Sequence, residues 1–165
     1  MSFSNLQTDD RHCFLCGADT PKITQEHVFP KWLQNRYNLW NQKIGLLNRT
    51  LIRYRELLIP CCSTCNNEDL SSLESQIAIA VQGGYGACTV LDKRLLYLWV
   101  GQLFYGILRK EISLALDRSR PSDGTILPST TLEGFSNLHL FSCDSSSVRS
   151  LADRLRTKDA TAAVF

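Results

Sequence analysis

Four cysteines come in two pairs of equal spacing, Cys13-Phe-Leu-Cys16 and Cys62-Ser-Thr-Cys65. Two intervening residues let a tight turn aim both sulfurs of a pair at one point, and Gly17 supplies the backbone freedom such a turn needs. Four thiolates complete the tetrahedral shell of zinc at Zn–S distances of about 2.3 Å and leave no position open for substrate. The spacing therefore predicts a structural Zn2+ held by Cys13, Cys16, Cys62 and Cys65. Cys61 adjoins Cys62, but only Cys62 keeps the two-residue interval to Cys65, so Cys61 is expected to pack rather than ligate. His12 is a weaker competitor for the ion, and the isolated Cys88 and Cys143 are expected as core or surface thiols. The competing reading, two unrelated pairs of buried or redox thiols, predicts no stoichiometric zinc.

The elements that must position these residues divide the chain near residue 66. The 165 residues suffice for one compact domain with ordinary apolar content. The N-terminus has no apolar signal-peptide core, and the most apolar stretch, Leu95 to Leu108, is too short to span a bilayer. A soluble cytoplasmic protein without membrane partners is expected, and there seven cysteines favour metal over disulfides. Residues 11–62 carry turn signals at Gly17, Pro21, Pro30, Gly45 and Pro60 and read as loops and short strands, with a helical turn at "PKWLQNRY". Leu51 to Ile59 reads as a strand. Beyond Cys65, Asn66 or Asn67 is expected to cap a helix whose Leu70, Leu73 and Ile77 share a face and which Gly83-Gly84 ends. A second helix is expected from Asp92 to about Asp117, apolar around most of its circumference and buried. A capping box at Thr130 to Glu133 starts a short helix that carries His139 as a structural histidine, and Val148, Leu151 and Leu155 share a further helical face.

Charge is unevenly placed. From Lys22 to Arg55 there are seven basic residues (Lys22, Lys31, Arg36, Lys43, Arg49, Arg53 and Arg55) against one acidic residue, Glu26. Such a segment can face a polyanion or simply solvate a surface. Strand alternation would put Arg49, Arg53 and Arg55 on one face, where they could grip phosphates. Trp32 and Trp40 are expected to anchor core or loop rather than stack on bases.

The order CxxC, then Glu26-His27-x-x-Pro30, then CxxC-Asn66 resembles the HNH endonucleases. "NNEDLSSLE" is similar to the segment after the second pair in a bacterial HNH subfamily, and "LYLWVGQLFYGILRKEISLALDR" is loosely similar to that subfamily's helical extension. The resemblance implies an α+β fold, a small zinc-stapled ββα-metal (HNH, or His-Me finger) core followed by a helical C-terminal extension. The core would span residues 11–82, the extension 83–157 and a tail 158–165. It also implies hydrolysis of phosphodiester bonds in nucleic acid, most readily double-stranded DNA, in bacterial defence, restriction or mobile elements. A partner protein or a homodimer is compatible with it.

By that resemblance His27 is the general base, a role that suits an imidazole neutral near pH 7. Glu26 and Asn66 would hold one catalytic divalent cation, Mg2+ or another hard ion. The helix start near Asn66 would add backbone N–H groups facing the phosphate. Asp69 is either an auxiliary ligand or a first-turn charge complementing the helix dipole. One departure stands out: the family's middle asparagine, which braces the histidine loop, falls at Leu57, and the nearest asparagine upstream is Asn48. That departure favours the rival reading, a zinc-bound nucleic-acid-binding or interaction module without catalysis.

Overall fold

The computed structural model describes residues 10–19 and 22–133. Of the expected helix that starts at Thr130, only residues 130–133 are described; His139, Cys143, the helix with Val148 and the tail lie outside the described residues.

Two short strands organise the N-terminal part. β1 (Ile23–His27) pairs antiparallel with β4 (Leu58–Cys62), with Ile23 opposite Cys62 and His27 opposite Leu58. Between them the chain makes α1 (Lys31–Arg36), a hairpin of β2 (Lys43–Gly45) and β3 (Leu51–Arg53), and one 3-10 turn (Tyr54–Glu56). The expected strand from Leu51 to Ile59 is thus two strands broken by that turn. The break lets Leu57 bury completely while its N–H bonds back to Tyr54 O at 3.2 Å.

A helical segment follows β4 directly. Ser63 and Thr64 are already helical, Cys65–Leu70 forms a π-helical stretch, and α2 (Ser71–Gln82) continues to Gly83. Asn66 and Asn67 therefore sit inside the first turns rather than capping them, because the helix starts earlier than the polar run suggests. Leu70, Leu73 and Ile77 are buried as expected. After a left-handed Gly84 (φ 81°) comes α3 (Tyr85–Val90).

Asp92 caps α4 (Lys93–Ser113), its carboxylate accepting from Arg94 N–H at 2.8 Å. The helix ends at Ser113, four residues short of Asp117, and it is not buried all round: Leu96, Tyr97, Val100 and Phe104 are exposed. Its other face carries Tyr105, Leu108 and Ile112 into one core with Phe14, Leu15, Val28 and Ile59. Gly106 makes that approach possible, since a Cβ there would lie 3.0 Å from Val28 Cγ1 and 3.2 Å from Ile59 Cδ1. The cysteine-rich part and the long helix thus share a core. A short α5 (Thr130–Glu133) ends the described residues. No described helix is long and apolar enough to cross a membrane.

Candidate metal centre and adjoining cleft

Each cysteine pair is set by its own local fold. In the first, Gly17 turns the chain at φ 71° and donates to Cys13 O at 2.8 Å, while Phe14 N–H reaches Pro60 O at 2.8 Å and ties the turn to β4. In the second, β4 ends at Cys62 and the helix begins at once, so Cys65 N–H points back at Cys62 Sγ across 3.5 Å. The sulfurs of Cys13, Cys16, Cys62 and Cys65 all lie within 4.8 Å of one another. Four sulfurs at the corners of a zinc tetrahedron would stand about 3.8 Å apart, and Cys16 and Cys62 stand at 3.8 Å. The group is close enough to hold a metal ion.

Cys62 rather than Cys61 belongs to that group, and His12 does not. Cys61 is fully buried beside it, with Sγ 4.0 Å from Cys13 Sγ. Hydrogen bonds with Cys61 and Cys65 hold the Cys13 thiol far below its ordinary range, while those same hydrogen bonds, then burial and the Cys13 charge, push the Cys61 and Cys65 thiols up. Burial raises Cys16 to about 11. A bound cation would let thiols that burial keeps protonated ionise together.

A second group of polar residues begins one residue further on. Asn66 donates from Nδ2 toward Thr24 Oγ1 at 3.5 Å and also to the Glu26 carboxylate. Burial raises the Glu26 carboxyl above its usual range, opposed by Asn66, by the N–H of His27 and by the charge of Lys31. The structure thus brings Glu26 and Asn66 together and joins His27 to them through its backbone. The His27 ring packs on Trp40 with centroids 5.6 Å apart, and its Nδ1 is buried without a hydrogen-bond partner among the described residues. Burial, with the Lys31 charge second, lowers the His27 pKa, so the imidazole is neutral at pH 7.

Asp69 is buried in the π-helical stretch, within the first turns of the helix that follows β4. Asn66, Trp32, Ser71 and Glu74 line a cleft of about 430 Å³. Trp32 stacks on Trp99 at 6.1 Å, an anchor as expected.

The three arginines do not share a strand face. Arg49 sits in the β2–β3 turn at φ 66°, Arg53 ends β3, and Arg55 lies in the 3-10 turn. Arg53 pairs with Glu56 at 2.9 Å, and Arg55 bonds Asn41. The interruption at Tyr54–Glu56 is what breaks the alternation.

Three residues that the motif did not single out bear on the site. Gln34 is fully buried and donates from Nε2 to Phe29 O at 2.6 Å, two residues past His27. Together with Val28 N–H to Leu57 O at 3.0 Å, it ties down the residues that directly follow His27. Asn48 instead ties the β2–β3 turn to Ala115 and Leu116. Lys31 acts electrostatically on both Glu26 and His27, yet in the sequence it is one of seven similar charges. Glu74 is within electrostatic reach of Glu26; burial and that charge push its carboxyl up to about 8. No family model, curated protein or solved structure matches this chain.

Proposed function

We propose that the protein is a metal-dependent HNH-type endonuclease that hydrolyses phosphodiester bonds in DNA, built on a ββα-metal core with a structural zinc on Cys13, Cys16, Cys62 and Cys65. One observation carries the reading. β1, β4 and the helix after β4 bring Glu26 and Asn66 into side-chain contact beside His27, next to a closed group of four sulfurs.

Glu26 and Asn66 would hold the divalent cation, and their donor set fits a hard ion: a carboxylate, and an amide oxygen not used in either of the bonds that Asn66 donates. The burial that disfavours an isolated Glu26 anion is relieved by a cation. Such an ion, when bound, neutralises charge on the phosphate and its leaving oxygen. His27, neutral and seated on Trp40, takes the proton from the attacking water. The rival reading, an inactive module, rested on the missing asparagine; the bond from Gln34 supplies that bracing by another route.

The test is nicking of supercoiled plasmid with Mg2+ or Mn2+. His27→Ala is expected to lose about 10²- to 10⁴-fold in rate with zinc content unchanged. The wild-type acid limb should fall below pH 6.5, the ordinary histidine value from which His27 is lowered. Absence of nicking by wild type with every divalent ion, or equal nicking by the variant, would sink the proposal.

A further inference from the structure

We propose that Glu74 is a second carboxylate donor to the divalent cation of this cleft, making the oxygen site Glu26, Asn66 and Glu74. The inference takes the site's position from the nuclease reading and adds a ligand to it.

Its first support is helical register. In a regular α-helix, position 74 lies about 80° around from position 66. The Cys65–Leu70 stretch is π-helical, with Ser71 N–H reaching Asn66 O five residues back. A π turn absorbs roughly one residue more than an α turn, so eight residues make about two full turns. Glu74 thereby comes over Asn66, and both line the same cleft.

The second support is unbalanced charge. Glu74 Oε1 is buried with no hydrogen-bond partner among the described residues. The Glu26 charge acts on its carboxyl, and Gln102 offers it only a neutral amide. A buried carboxyl within reach of a second negative charge, and attended only by a neutral amide, favours either a proton or a cation. An open cleft that presents carboxylate and amide oxygens with no sulfur suits a hard divalent cation.

Mn2+ alone, titrated into full-length zinc-loaded protein and followed by electron paramagnetic resonance of the free ion, separates the two. Glu74→Gln is expected to weaken Mn2+ binding by at least about tenfold while zinc content is retained. Glu74→Asp keeps the charge one methylene back and should weaken it less, providing a second readout if the glutamine variant fails to fold. His27→Ala should bind Mn2+ as wild type does, so loss of nicking in that variant reports on the nuclease reading and not on Glu74. Wild-type Mn2+ affinity in a folded Glu74 variant, or no Mn2+ binding by the wild type, would overturn the assignment.

Discussion

Cys65 and Asn66 are neighbours in the chain, yet they serve two regions built on opposite plans. Cys65 faces a group in which three of the four sulfurs are buried and every donor points at another. Asn66 faces an open cleft in which Glu74 Oε1 is buried without a hydrogen-bond partner among the described residues. A saturated soft-donor shell can hold an ion but cannot turn over a substrate. An under-satisfied oxygen cleft costs stability, which is tolerable where ligands are to enter. One region is suited to maintaining the fold, the other to acting through it.

The largest test of that contrast is to break the sulfur side alone. Cys65→Ser should abolish stoichiometric zinc and the cooperative thermal transition, since structural zinc contributes on the order of 10 kcal/mol to small domains. Cys61→Ser should keep zinc at one equivalent, because Cys61 lies beside the four-sulfur group and not in it. Native mass spectrometry reads both. Zinc lost from the Cys61 variant and kept in the Cys65 variant would transfer the ligand assignment and erase the division between the regions.

A smaller effect is expected from Gln34→Ala, which strikes the cleft side without touching sulfur. It leaves Phe29 O without its donor and opens a buried space, at a cost of about 1–3 kcal/mol. Zinc content should stay at wild type while nicking falls further than the melting temperature explains, since Phe29 lies two residues from His27. Loss of zinc with loss of activity would mean that the two regions are one cooperative unit.

What could be read in advance follows the range of the interactions involved. The four-sulfur group was legible because each pair is local, two residues wide, and chemistry leaves few uses for such a pattern. The start of the second helix at Asp92 was legible for the same reason; there the side chain reaches only to Arg94. Glu74 was not, because its place depends on a π turn that no spacing rule announces and on an α4 side chain, Gln102. Gln34 was hidden too: a polar residue in a short helix reads as surface until the core closes over it. The three arginines failed as a face because the apolar run Leu57 to Ile59 concealed where the strand breaks. The exposed Leu96 and Val100 mark a similar limit, since apolar composition alone does not reveal which side of α4 is covered.

The finest test presses on the seam between the long helix and the cleft. A methyl group at Gly106 would meet Val28 Cγ1 at 3.0 Å and Ile59 Cδ1 at 3.2 Å, so Val28 or the helix must give way. Replacing a mid-helix glycine by alanine returns up to about 1 kcal/mol of helix propensity, while overpacking a tight contact costs about 1–3 kcal/mol. The balance for Gly106→Ala is a net destabilisation of about 1 kcal/mol, measured by urea unfolding. Val28 directly follows His27, so the displaced strand end should lower nicking more than that loss of stability accounts for. Cys65 lies on the helix beyond β4, so zinc stoichiometry should hold. An activity loss no larger than the stability loss would show that the cleft tolerates movement of its floor, and that its geometry is looser than the sulfur group's.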